Sequence, residues 1–367
     1  MIPSLDAIDW HSFLGRPRLP QPNSQMVDDL KEERVLVTGA GGSIGSAIAL
    51  RLAGIAAGQL VLLESSESAL FALQGKLAEG TLPQIPKYIL GSVLDADLLR
   101  EHFEHQAPGV IFHAAAFKHV PLLEEHPLAA IENNVFGTRS LVSAATAHRA
   151  RVVLLSTDKA VEPASIIGAT KRVAESIVLG AGGTVLRLGN VLASSNSVAA
   201  LFAQQIAARF PLTISDPAAR RYFLTIEEAV DVLIAASAEP SRPMLLAPDL
   251  GSPQYITDLA RFMARALAPG REVSIEFTQP RPGDKELEKL WSSDEAANPA
   301  TALGLLSISS ASRAAAAFNS ELDALETAAR ARDLLAALAC LRSLVPDFTP
   351  SAFLLALAQR SASRVTP

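Results

Sequence analysis

The chain has 367 residues, 49% of them apolar, and carries 32 Lys and Arg against 38 Asp and Glu for a net charge of −6. That balance excludes the basic footprint of a nucleic-acid binder and the polybasic pull toward anionic lipid. With two Trp, three Tyr and fourteen Phe the core must come from Ala, Leu, Val and Ile, and the one cysteine, Cys340, excludes an internal disulfide framework or a Cys-rich metal site.

Residues 1–33 are Pro-rich and polar, with Pro17, Pro20 and Pro22 ahead of residues 26–33, and read as an N-terminal arm. Asp6 and Asp9 lie where a secretory signal would need a basic segment, so none is expected. From Arg34 onward, apolar runs at 35–38, 60–63, 88–90, 110–112, 152–155 and 185–188 alternate with amphipathic stretches long enough for crossover helices. Six such strands predict an α/β fold, a Rossmann-type doubly wound parallel sheet over 34–190. The uncharged run 188–208 holds Asn190, Ser194, Ser195, Asn196, Gln204 and Gln205, too polar for a membrane span, and a cytoplasmic location is expected. Strand candidates at 212–214, 244–246 and 273–277, with a helix after Thr225 whose Glu228 completes a capping box, predict a smaller α/β substrate-binding lobe over 191–300, free to interleave with the first domain. Residues 301–367 form a helical extension, in which Leu322, Leu325, Leu334, Leu335, Leu338 and Leu341 recur at helical spacing, as one or two helices packed on the body or on a partner chain.

The segment from Val35 to Ser46 runs from a strand through glycines into a helix. Gly39, Gly42 and Gly45 have the GxxGxxG spacing of extended short-chain dehydrogenases, where glycine permits the tight turn and lets a pyrophosphate approach the helix N-terminus. Such a site needs an acid at the end of the second strand for a ribose hydroxyl, and Glu64 stands there. Glu64 and Glu67, with no Arg or Lys beside them, disfavour the extra phosphate of NADP, so NAD is the expected cofactor. Gly41, Ser43 and Gly45 also spell the nucleophile elbow of hydrolases, but that triad needs a late His, and all seven His lie at or before His148.

Short-chain dehydrogenases normally pair Tyr and Lys as Tyr-x-x-x-Lys. Here Ser92, Ile226 and Leu259 stand four residues after Tyr88, Tyr222 and Tyr255, so the pair is missing. The matching helix after the fifth strand keeps Lys171 for the nicotinamide ribose and puts Ile167, which has no proton to give, in the tyrosine's place.

With these features the sequence resembles the CapD-like nucleoside-diphosphate-sugar dehydratases, whose members include UDP-N-acetylglucosamine 4,6-dehydratases. The resemblance runs through Leu14-Gly-Arg16, VLVTGAGGSIGS at 35–46, HAAAFKHVP at 113–121, STDKAV at 156–161, GATKRVAE at 168–175, RLGNVLAS at 187–194, PLTISDP at 211–217, RYFLTIEEA at 221–229, RPGDK at 281–285 and VPDFTPS at 345–351. Departures are Ile167 where the family has Tyr or Met, Glu64 for a common Asp, Ser92 for an adenine-contacting Asp, and Asp284 for Glu. Many relatives begin with membrane helices, and none is read here.

The resemblance implies 4,6-dehydration of a UDP-amino sugar in polysaccharide biosynthesis. In that reaction C4 is oxidised, the C5 proton becomes acidic, the C6 hydroxyl leaves as water, and hydride returns to C6. It also implies cofactor contacts from Gly39, Gly42, Ser43, Ile44, Gly45, Glu64, Ser92, Val93, Ala114, Ala115 and Lys171. Asp158 becomes the acid at C6, Lys159 the base at C5, and Thr157 holds the C4 hydroxyl; burial is then expected to raise the Asp158 pKa and lower that of Lys159. Asn190 and Arg281 are the implied diphosphate ligands, with Arg221, Glu288 and Lys118 as further substrate candidates. His113 and His119 lack metal-site spacing, so no metal is expected. A homo-oligomer is expected, as in relatives. The alternatives are a nucleotide-sugar epimerase, which shares the ketone but skips elimination, and a silent protein that binds NAD or nucleotide sugar without turnover.

Overall fold

The computed structural model describes residues 5–55, 57–80, 82–238, 243–300, 304–309 and 315–363. Its strands are β1 (Arg34–Thr38), β2 (Gln59–Glu64), β3 (Lys87–Leu90), β4 (Val110–His113), β5 (Arg151–Thr157), β6 (Thr184–Leu188), β7 (Asn190–Val191), β8 (Leu212–Ile214), β9 (Arg220–Arg221), β10 (Phe223–Leu224), β11 (Met244–Pro248), β12 (Gln254–Tyr255), β13 (Ile275–Phe277), β14 (Ala296–Pro299) and β15 (Leu305–Ser309). The helices are α1 (Trp10–Leu14), α2 (Ser24–Lys31), α3 (Ser43–Gly54), α4 (Glu67–Ala78), α5 (Ala96–Gln106), α6 (Val120–Glu125), α7 (Pro127–Ile131), α8 (Gly137–Ala147), α9 (Ile166–Gly180), α10 (Val198–Ala208), α11 (Ile226–Ser237), α12 (Ile256–Leu267), α13 (Ala315–Arg330), α14 (Leu334–Leu344) and α15 (Ala352–Ser363).

One large sheet runs in the order β14-β15-β11-β6-β5-β4-β1-β2-β3. From β3 to β11 every pairing is parallel, and β15 and β14 close that end antiparallel. The six expected strands all fall in the parallel part, in the doubly wound order. Their near-continuous apolar character follows from cover on both faces: every residue from Leu60 to Leu63 and from Val110 to Phe112 is buried. Strand β11 shows the expected interleaving, since it leaves the later part of the chain to pair with β6.

Beyond β6 a second apolar cluster gathers Trp10, Leu14, Leu192, Phe202, Phe223 and Met263 around α1, α10 and α12. Helix α12 joins it through Ile256, Leu259, Ala260 and Met263, a spacing that puts all four on one helical face. Three two-stranded ladders, β7 with β10, β8 with β13 and β9 with β12, tie this region to the end of β6. The expected strand at 273–277 is shorter, Ile275–Phe277.

Two regions differ from expectation. The arm contains helices, because Asp9 and Asn23 accept from the first-turn N–H groups of α1 and α2 on either side of the prolines. The arm is pinned where Arg16 forks onto Glu228 at 2.8 and 2.9 Å, while Glu228 also closes the capping box of α11. The tail adds a third helix, α15, anchored by Ser351, whose hydroxyl donates to buried Glu124 at 2.6 Å. Among the described residues no helix is long and apolar enough to cross a membrane.

Candidate active site

The carboxyl ends of β1, β4, β5 and β6 meet the ladders of the second cluster, and a cleft of about 910 Å³ opens between them. Its floor at one end is the glycine turn. Gly39 has φ +66°, and a Cβ there would fall 2.7 Å from Ala115 N and Ala114 O, so only glycine fits. A Cβ on Gly45 would collide with the Gly39 carbonyl, which lets α3 start directly on the turn. Gly42 is the N-cap of α3 and has no side chain to cap it, and Gly42, Ser43, Ile44 and Gly45 at this helix start all line the cleft.

Glu64 ends β2 as expected, and both its oxygens already take backbone donors, Gly41 N and Ser66 N, each at 2.9 Å. It fixes the turn and the start of α4 while retaining lone pairs for a ribose. Ala114 lines the cleft and Ala115 backs Gly39. Ser92 and Val93 follow β3 outside the cleft wall: the Ser92 hydroxyl accepts from Leu94 N at 3.2 Å, and Val93 packs under Gly137. On α9, Ile167 and Lys171 sit one turn apart and both line the cleft. Lys171 Nζ donates to Leu155 O at 2.5 Å, and burial pulls its pKa down to about 8 against the opposing pull of Glu175.

Strand β5 ends at Thr157 and turns sharply, which brings Thr157, Asp158 and Lys159 together. Lys159 Nζ lies 3.0 Å from Asp158 Oδ1, 3.2 Å from Asn190 Oδ1 and 3.7 Å from Glu288 Oε1. The Thr157 hydroxyl donates to Asp158 Oδ1 at 3.0 Å. Thr157, Lys159 and Asn190 line the cleft, whereas Asp158 is fully buried behind them and its Oδ2 has no hydrogen-bond partner among the described residues.

Burial raises the Asp158 pKa, as the sequence predicts, against the pull of Lys159. The expectation for Lys159 is reversed. Burial does push its ammonium down, but Asp158 and then Glu288 outweigh burial, and the pKa stands above its ordinary value. Of the two carboxylates, Asp158 is the larger cause and is adjacent in sequence; Glu288, brought in from far along the chain, adds to it.

The substrate candidates divide. Lys118 lines the cleft, is lowered by burial, and donates to Ser195 O at 2.9 Å. Asn190 is spent partly on Lys159. Arg221 lines the cleft, its guanidinium donating to Arg220 O and Glu286 O. Arg281 lines the cleft too, paired to Asp284 at 2.8 Å. Glu288 is not a cleft residue: it is 2% exposed, with Oε2 2.7 Å from Lys285 Nζ. His113 is a packing residue between Thr38 and Thr138, and burial drives its pKa to about 3.

Sequence reasoning missed two features. Ser195 bridges the cleft mouth, its N donating to Ser43 Oγ at 2.9 Å while the two hydroxyls lie 2.6 Å apart. Arg187, fully buried in β6, binds Glu175 and Glu295. A charge in the middle of an apolar strand was the signal that could have found the second.

Residues 35–308 match the polysaccharide biosynthesis protein family. The chain is 38% identical over 292 residues to the probable polysaccharide biosynthesis protein EpsC of Bacillus subtilis, covering 77% of this chain and 49% of that one. It is 34% identical over 304 residues to the capsular polysaccharide biosynthesis protein CapD of Staphylococcus aureus, covering 80% of this chain and 50% of that one. The chain thus spans about half the length of these curated relatives. Among solved structures it superposes on Pen from Bacillus thuringiensis with a TM-score of 0.69 and 27% identity, over 76% of this chain and 90% of that one.

Proposed function

The chain belongs to the polysaccharide biosynthesis protein family, and we propose that it is an NAD-containing nucleotide-sugar 4,6-dehydratase acting on a UDP-amino sugar such as UDP-N-acetylglucosamine. The observation that carries this reading is the Asp158–Lys159 contact at 3.0 Å, an acid and a base side by side at the wall of a cleft that begins on a glycine cradle. Gly42 to Gly45 would hold the pyrophosphate of NAD, with Glu64 and Lys171 at its two riboses. Bound NAD supplies hydride acceptance at C4 of the sugar and its return at C6.

The protein's own part is the proton movement. The resting ion pair becomes an acid–base pair when one proton crosses from Lys159 to Asp158, leaving the total charge unchanged. Lys159 then takes the proton from C5. Asp158 has no open face to the cleft, so its proton passes through the Thr157 hydroxyl: Oγ1 receives it and gives its own proton to the C6 oxygen as the C6–O bond breaks and water leaves. Elimination leaves Lys159 charged and Asp158 ionised; as hydride returns to C6, Lys159 gives its proton back to C5, and the proton released into the cleft when the C4 hydroxyl was oxidised is taken up to restore the ion pair seen at rest. Ile167 cannot take part in proton transfer, and it shapes an apolar wall beside the sugar.

Proton NMR of the full chain with NAD and UDP-N-acetylglucosamine in deuterated water tests the reading. A methyl signal replacing the C6 protons, with deuterium at C5, is expected. Exchange without a methyl would make the chain an epimerase, and bound ligand with no exchange at all would make it a silent binder.

A further inference from the structure

Four side chains of alternating charge, Asp158, Lys159, Glu288 and Lys285, form a row that reaches the cleft at Lys159. Lys159 Nζ stands 3.0 Å from Asp158 Oδ1 and 3.7 Å from Glu288 Oε1, and Glu288 Oε2 stands 2.7 Å from Lys285 Nζ. Lys285 is itself tied to the turn after Asp158 by a hydrogen bond to Val161 O at 2.8 Å. Both carboxylates are almost without solvent, at 0% and 2% exposure. Around the row, Asn190 Oδ1 accepts from Lys159, Arg221 adds positive field at Lys159 and Glu288, and Tyr222 lies in the field of Asp158.

Resting on the acid–base reading of Asp158 and Lys159, we propose that Glu288 and Lys285 are positioning residues that decide which member of that pair holds the shared proton. Glu288 draws the proton toward Lys159; Lys285, by neutralising Glu288, releases it toward Asp158. The argument is electrostatic. Moving the proton from Lys159 to Asp158 takes a positive charge away from Glu288, a carboxylate 2% exposed and so weakly screened. The charge on Glu288 therefore resists the transfer, and Lys285 weakens that resistance from the far side. A loop tie alone would place an ion pair here, but it would not make the two residues act in opposite directions.

That opposition is the test, and it needs no substrate. In the full chain the pH midpoint for acetylation of Lys159 by acetic anhydride is read by peptide mass spectrometry, with exposed Lys31 as internal standard. Glu288→Gln is expected to lower the midpoint by about one pH unit and Lys285→Gln to raise it, while Glu288→Asp and Lys285→Arg, which keep the charges, stay near the parent. Midpoints that move together, or not at all, overturn the proposal; if one neutral variant does not fold, the other alone decides, since a midpoint that does not fall in Glu288→Gln, or does not rise in Lys285→Gln, overturns it. The alkaline limb of turnover should shift in the same two directions. If labelling shifts and the limb does not, the coupling stands and the assignment of Lys159 as base fails.

Discussion

Arg187 and Lys159 each sit between two buried carboxylates, but their surroundings differ. Arg187 makes five hydrogen bonds, to both oxygens of Glu175, both of Glu295, and Leu290 O, all between 2.7 and 3.1 Å. Its donors are used up. Lys159 has one short contact to Asp158, one to Asn190 and a looser one to Glu288, and Asp158 Oδ2 has no hydrogen-bond partner among the described residues. A network with every donor matched holds β6, α9 and the segment before β14 in one geometry. A cluster with an unmatched buried oxygen keeps capacity to take a proton. The contrast separates scaffold from chemistry on physical grounds.

Paired variants would break this comparison most directly. Arg187→Met leaves Glu175 and Glu295 buried with the half-buried Arg172 as their remaining cation and should cost about 3 kcal/mol in denaturant unfolding. Asp158→Asn should leave the unfolding midpoint unchanged or higher and slow turnover by about 10²–10⁴-fold. An Asp158→Asn protein that unfolds as readily as Arg187→Met would mean that both clusters are scaffold.

A sharper version uses two neighbours on β5. Strand side chains alternate faces, and Ser156 donates to Glu175 at 2.6 Å while Thr157 donates to Asp158 at 3.0 Å. One residue serves each cluster. Ser156→Ala should lose about 1–2 kcal/mol of stability with turnover little changed. Thr157→Val should do the reverse, slowing turnover at least tenfold at constant stability, and Thr157→Ser should restore it. Equal effects from both changes would erase the boundary drawn between them.

Local signals in the sequence foretold the strands of the parallel sheet, the glycine turn and the residues of the β5 turn. Apolar runs of three or four residues need two covered faces, and glycine at 39 and 45 needs a close backbone approach. What stayed hidden depended on partners distant in the chain. Glu288 joins Asp158 in raising Lys159 from 129 residues further along the chain, and the Glu295 end of the Arg187 network has no spacing to announce it. The arm's helices went unread for a local reason: Asp9 and Asn23 are ordinary helix caps, but the prolines between them carry the stronger loop signal. The tail helix α15 follows VPDFTPS, whose Ser351 finds its partner, Glu124, 227 residues back in the chain.

The smallest effect expected is in the pH dependence of stability, and it bears on the scaffold side. Burial raises Glu175 to about 7, against the pull of Arg172 and the Ser156 hydrogen bond, whereas the unfolded chain returns it to 4.5. Between those values the folded chain holds more of the proton than the unfolded one. Stability from this group is therefore full below about pH 4.5, falls as pH rises toward 7, and is level above it. The slope can reach at most about 1.4 kcal/mol per pH unit, the limit for one proton. Subtracting the Glu175→Gln unfolding curve from that of the parent isolates this slope from all other groups. A difference that is flat from pH 5 to 7 would mean that Arg187 holds Glu175 ionised throughout. The network would then be a fixed-charge scaffold, and its contrast with the proton-carrying Lys159 cluster would be sharper still.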